Sequence, residues 1–248
     1  MPTFISVVRD FDMYEKFVRS NTNCAEASFI AFDNRGNNVA IPVRYNSFLD
    51  SYNYSNESWF VFCHEDFEFL ENLVPILCQL NKERLYGVVG GRRVGFAGFG
   101  MQVVYGNMSE RNRNGGDEEW LPGRKIKSSV KVEALDCCCL MMHSSLVNKY
   151  NLRFDESLSY DFYVEDFCAM AKIGYGICSY VYPINSCHHS GSKPSDRYFR
   201  HLPYLAKKYP NNCFVGTISY FGTPGWQKRF QDVVWSLVKR VFMVRHKL

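Results

Sequence analysis

The stretch SWFVFCHEDFEFLENL, residues 58–73, sets an unbroken apolar run, Trp59 to Cys63, directly before His64, Glu65 and Asp66. A run that is apolar at every position has both faces covered, so 59–63 is predicted to be a central strand of a sheet. The three ionisable residues after it stand either on a solvated turn or at a site built where a buried strand stops. Upstream, TFISVV (3–8) and ASFIAFDN (27–34) are two more β-rich runs, separated by a polar segment with Tyr14, Phe17 and Val18 at helical spacing. Strand, helix, strand is the opening of an α/β sheet, whose ligands collect beyond the carboxyl ends of its strands. The second run ends in Asp33-Asn34 and a glycine turn, and VRYNSFLDSY (43–52) is the next helix.

Downstream, LENLVPILCQLNKE has helical spacing with Pro75 inside it, which delays or kinks the helix. YGVVGGRRVGFAGFG opens as a strand, and its glycines lack the order and the Lys-Ser/Thr of a triphosphate-binding loop. Residues 107–129 are polar and rich in charge, long enough for a mobile loop over a site or an inert insertion. KVEALDCCCLMMHSSLVNKY begins as a strand with Asp136 partway along it and continues as a helix. YVEDFCAMAKIGYG puts Glu165 and Asp166 at a helix start, where acids are favoured by the dipole in any protein, and Gly174 at its end. SYVYPINSCHHSGS is a late strand running into His188-His189.

A chain of 248 residues suits one sizeable core, and 46% hydrophobic with 22% charged residues is the balance of a folded globular protein. The net charge of +4 is local: residues 226–248 carry six Lys/Arg against one Asp, leaving residues 1–225 at −1. A nucleic-acid-binding face is therefore not expected. Ten cysteines without a CxxC pair, and no leader before MPTFISVVRD, point to reduced, mostly buried thiols and a cytoplasmic setting. A cysteine nucleophile paired with His64 or His189 is disfavoured because the cysteines sit in core-like runs. His64 and Glu65 lack the second histidine of a zinc-peptidase motif.

Asp33, the triplet 64–66 and His188-His189 thus all follow strands and can converge on one sheet edge, where a divalent ion with oxygen and nitrogen ligands is chemically reasonable. Asp66 and His188-His189 are also readable, less favourably, as polar turns. Taken in order, the motifs resemble the glycosyltransferase family 2-like enzymes of GT-A fold, in the subgroup whose acidic metal motif is led by a histidine. FVFCHEDFEF is similar to the family's strand and metal motif, ISVV with FIAFDN to its opening strand pair, VRYN to a helix start, and FYVEDFCAMAKIGYGI to its acidic pair and helix.

The resemblance implies a single GT-A-like α/β domain over 1–225, with a mostly parallel central sheet flanked by helices. It implies Asp66 and His189, chosen over His188, as ligands of Mn2+ or Mg2+, and Asp166, or else Glu165, as the base that activates an acceptor hydroxyl. Asp33, Arg44 and Asn46 would approach the nucleotide, with His64 standing where relatives carry a first acid. Asp136 would bind a sugar hydroxyl, and the segment 111–131, with Arg113, Asp117, Glu118, Trp120 and Arg124, would close over the acceptor, Trp120 stacking on a ring. The implied reaction is metal-dependent, inverting transfer from a nucleoside diphosphate sugar to a glycan or lipid-linked acceptor, as in polysaccharide biosynthesis. The competing readings are a nucleotide- or carbohydrate-binding module without turnover and a nucleotidyltransferase.

After the domain, Phe230, Val233, Val234, Leu237, Val241 and Val244 form one stripe of a basic amphipathic C-terminal helix, 226–248. Such a helix fits a peripheral contact with the inner face of a membrane, or docking on the domain or a partner.

Overall fold

The computed structural model describes residues 1–96, 99–111, 119–190 and 196–223. In chain order the first half runs β1 (Thr3–Val8), α1 (Phe11–Tyr14) widening into a π-turn (Glu15–Arg19), β2 (Ser28–Asp33), α2 (Ile41–Ser51), β3 (Trp59–Cys63), β4 (Phe67–Phe69), α3 (Leu73–Leu77) and β5 (Leu85–Gly87). There follow β6 (Val89–Phe96), β7 (Phe99–Gly106), β8 (Met108–Arg111), β9 (Glu119–Trp120), β10 (Val130–Val132), β11 (Ala134–Leu135) and β12 (Cys139–His143). The chain continues with α4 (Ser144–Tyr150), α5 (Tyr163–Tyr175), β13 (Ser179–Val181), β14 (Ser186–His188), α6 (Asp196–Lys208), β15 (Cys213–Val215) and β16 (Tyr220–Gly222).

The run 59–63 is the central strand its composition predicts. It lies in a seven-stranded sheet of order β10-β13-β5-β12-β3-β1-β2. Strand alternation divides the core into two layers. Ile5, Val7, Phe60, Phe62, Leu140 and Met142 face α2 and α5. Phe4, Val8, Val61, Cys63, Cys139 and Met141 face the opposite way, toward Tyr14, Val18, Leu73 and Phe67. Full burial of each Phe or Leu contributes about 1.5–3 kcal/mol, so covering both faces of β3 fixes its place.

The expected mostly parallel sheet is corrected to a mixed one. β1 with β2, β1 with β3 and β5 with β13 are parallel, whereas β3 with β12, β5 with β12 and β10 with β13 are antiparallel. The reason is the excursion from β6 to β11. It leaves the sheet where β5 ends and returns to the same edge, so β12 enters there and must run backward between β3 and β5. Asp136 and the cysteines before β12 consequently stand beside the end of β3, and the His64 N–H donates to the Cys138 carbonyl at 3.1 Å.

Three local expectations change. The strand expected to carry Asp136 is broken there, between β11 and β12. α5 runs past Gly174 and is stopped by Gly176, whose φ of 72° suits glycine. The glycine-rich run past Val89 forms the long β6–β7 hairpin. Gly91 is required in it because the Gly216 backbone, from the turn of the β15–β16 hairpin, lies where a Cβ would be. Among the described residues no helix is long and apolar enough to cross a membrane, and the stripe expected over 226–248 lies outside those residues.

Gly91→Ala should force the β15–β16 turn away from β6 at a cost of about 1–3 kcal/mol, read as a lower urea midpoint.

Candidate functional site

β4 is short and begins just after Asp66, and β14 lies between β4 and β8 in a second, four-stranded sheet. β14 runs antiparallel to β4, with His188 opposite Phe67, and parallel to β8, with His188 opposite Glu110. This register delivers the His188 ring to the end of β3. His188 Nε2 stands 3.3 Å from Asp66 Oδ1 and 3.4 Å from His64 Nδ1. One donor atom from each of His64, Asp66 and His188 lies within 4.8 Å of the others, close enough for one ion to touch all three. Asp66 and His188 are buried and His64 is partly so.

The hydrogen bonds assign the protons. Tyr163 Oη donates to the Cys137 carbonyl at 2.8 Å, so its oxygen accepts from His64 Nε2, 3.0 Å away. That leaves the lone pair of His64 Nδ1 to accept from His188 Nε2, 3.4 Å away. Burial and then the neighbouring His188 lower the pKa of His64. Burial also disfavours charge on His188, but Asp66 and Glu110 outweigh it and push the pKa up to about 10. The Glu110 carboxylate is 3.6 Å from His188 Nδ1, too long for a hydrogen bond, and Nδ1 has no such partner among the described residues, so Glu110 acts there by its charge.

A second acidic group adjoins this cluster. Cys137 Sγ donates to Glu165 Oε2 at 2.9 Å, which links Glu165 through Cys137 and Tyr163 to His64. Asp136 accepts from the Cys138 N–H at 3.0 Å and from Thr217 Oγ1 at 2.5 Å, and the charges of Asp136 and Asp161 reach both His64 and Glu165. Asp161 is held by Arg197 Nε at 2.6 Å. Burial, then Asp136, pushes Glu165 up to about 8. Burial and the neighbouring Glu165 and Asp136 raise Cys137 as well, which disfavours a thiolate nucleophile at this position.

Several expected site residues are engaged elsewhere. His189 does not join Asp66: its Nε2 pairs with Glu68 at 2.8 Å and its ring stacks on Phe17 at 3.7 Å. Successive strand residues point to opposite faces, so only one of the two histidines can reach the Asp66 carboxylate: Asp66 lies in the turn just ahead of β4, and its side chain meets His188. Asp166, the expected base, is 2% exposed and bound by Lys208 Nζ at 2.8 Å and Tyr209 Oη at 2.7 Å. It therefore ties α5 to α6. Asn46 is likewise a clamp: its amide donates to the Phe154 carbonyl and accepts from the Phe154 N–H, both at 2.9 Å.

Asp33 is exposed at the end of β2 and paired with Arg35, whose hydrogen bonds lower it to about 2, while Arg44 donates to the Asp33 carbonyl at 3.4 Å. Glu65 turns back to accept from the Arg9 and Asp10 N–H groups after β1. Arg113, Asp117, Glu118 and the side chain of Trp120 lie outside the described residues. Tyr163, Asp161 and Glu110 carry no sequence signal beyond ordinary helix, loop and strand positions; pairing alone brings them to the site.

No protein-family model matches this chain, and no curated protein sequence matches it. A solved structure of GalNAc-T7 with UDP, GalNAc and Mn2+ overlaps it with a TM-score of 0.48 at 10% identity, covering 85% of this chain and 49% of that one. The chain thus spans about half the length of that protein.

Two outcomes test this geometry. Asn46→Ala leaves the buried Phe154 N–H and carbonyl without their partner and should cost about 1–3 kcal/mol in urea unfolding. For Glu165, the unfolded chain releases its proton near 4.5 and the folded chain holds it to about 8. Its contribution to stability is complete below 4.5 and is lost as the pH rises toward 8. Glu165→Gln should remove this slope, so wild type loses urea resistance relative to the variant across that window.

Proposed function

We propose that this chain is a GT-A-type glycosyltransferase that moves a sugar, with inversion, from a nucleoside diphosphate sugar to a hydroxyl of a glycan or lipid-linked acceptor. The observation that carries the reading is the meeting of His64, Asp66 and His188 at one sheet edge, beside Asp136 and Glu165. The order of the motifs along the chain supports the same reading.

A divalent cation fits these residues once it displaces the proton that Asp66 and Glu110 hold on His188, which would go to solvent. His64 Nδ1 offers a lone pair with the opposite ring nitrogen already engaged by Tyr163, and His188 and Asp66 face it. Two imidazoles and one carboxylate favour Mn2+ over Mg2+, which prefers oxygen ligands. The bound ion would supply positive charge against the departing diphosphate. Glu110 behind His188 and Tyr163 behind His64 orient the two rings.

Glu165, rather than Asp166, is the base. Its charge couples to that of Asp136, which would hold a sugar hydroxyl in place of Thr217, whereas Asp166 is committed to Lys208 and Tyr209. The acceptor oxygen forms a bond to the anomeric carbon as the bond from that carbon to the phosphate oxygen breaks. The acceptor proton passes to Glu165, and the electron pair leaves with the diphosphate. A carboxylate held near 8 is a stronger base than an ordinary one, and its ionised fraction grows with pH, so turnover should rise between pH 6 and 8. Asp33, at the end of β2, is offered to the nucleotide's ribose or base once it releases Arg35.

Calorimetry with a panel of nucleoside diphosphate sugars tests the reading. Mn2+ should tighten binding of at least one sugar about tenfold or more, and Asp66→Asn should abolish the gain. Equal affinity with and without metal for the whole panel overturns it. Glu165→Gln should lower turnover about 100- to 10,000-fold while leaving nucleotide affinity intact. Asp166→Asn should lower the urea midpoint and spare the turnover of the folded fraction.

A further inference from the structure

The strand alternation that sends His188 toward Asp66 sends its neighbours the other way. Cys187 stands opposite Glu68 in the β4–β14 ladder, so their side chains share a face. His189 follows two residues after Cys187 on that face, and its N–H extends the ladder to the Asp66 carbonyl at 2.9 Å. One donor atom from each of Glu68, Cys187 and His189 lies within 4.8 Å of the others. Cys187 is 1% exposed, and the His189 ring is covered by Phe17, stacked at 3.7 Å and 13°.

We propose that Glu68, Cys187 and His189 form a second metal site, selective for Zn2+, on the face of the β4–β14 ladder opposite the one that His188 takes. Thiolate sulfur, imidazole nitrogen and one carboxylate make a borderline-soft donor set that suits Zn2+ and discriminates against Mg2+ and Ca2+. The ion displaces the Cys187 thiol proton to solvent, and the His189–Glu68 contact, 2.8 Å, opens so that both groups turn to the metal. Water completes the tetrahedron, and Phe17 limits solvent access to the imidazole. The role is structural: a clip joining β4 to β14 fixes the register on which the placement of His188 depends. The site does not rest on the proposed sugar transfer, because its donor atoms are separate from those of His64, Asp66 and His188.

Cobalt substitution separates the two clusters, since only this one contains sulfur. The full chain, stripped with a chelator and titrated with Co2+, should develop a thiolate-to-cobalt charge-transfer band that Zn2+ displaces. The band should persist in Asp66→Asn and vanish in Cys187→Ser. Absence of the band in wild type, or its survival in Cys187→Ser, overturns the proposal. Should Cys187→Ser fail to fold, alkylation of the wild-type chain, mapped by mass spectrometry with and without Zn2+, keeps the test open. Zn2+ should slow modification of Cys187 about tenfold or more, and an unchanged rate overturns the proposal.

Discussion

The burial of β3 on both faces is the constraint from which the rest of the molecule follows. Phe60 and Phe62 fill one core layer, Val61 and Cys63 the other, and β1 and β12 occupy its two edges. A strand so enclosed cannot slip by one residue without turning both layers inside out. Its end is therefore a fixed point, and His64, the first residue beyond it, is anchored by its amide to Cys138. The ionisable groups that gather there inherit that rigidity.

Two different pairings bring partners to this fixed point. The antiparallel return of β12 carries Asp136 and Cys137 to the end of β3, and α5, starting at the same edge, adds Tyr163 and Glu165. The small sheet formed by β4, β14, β8 and β9 brings His188 and Glu110. The polar groups are thereby divided: the imidazoles of His64 and His188 with the Asp66 carboxylate on one side, the Glu165 carboxyl on the other, with Tyr163 and Cys137 between. Glu165 stays protonated well above the usual carboxylate range because it is buried among other acids, while Asp166, one residue on, is ion-paired to Lys208. Adjacent residues on a helix point about 100° apart, and that rotation separates a carboxyl beside Cys137 from one paired with Lys208.

Much of this was legible in the sequence. The apolar run 59–63, the runs at 3–8 and 27–34 and the helix that starts near Glu165-Asp166 are all present as elements, whereas the one late strand expected before His188-His189 is divided into β13 and β14, which belong to different sheets. Asp66 stands in the cluster that the abrupt change from apolar to ionisable residues suggested. The choice within each polar pair was not legible. His188 against His189 and Glu165 against Asp166 depend on which face a side chain takes, and this is set by the β4–β14 register and the rotation of α5. Asn46, expected near a nucleotide, is instead consumed by the Phe154 backbone, a partner more than a hundred residues away.

Strand cores, the α/β class and the set of residues from which a site could be drawn are readable without coordinates, because they follow from local hydrophobic period and the polarity of strand ends. Long-range pairing made the sheet mixed and brought His64, Asp66 and His188 together. It also sent Glu68, Cys187 and His189 to the reverse face and gave Asp166 to Lys208. Those outcomes depend on which edge the β6–β11 excursion returns to and on how β14 registers with β4. Both are contacts between segments far apart in the chain, and no local pattern encodes them.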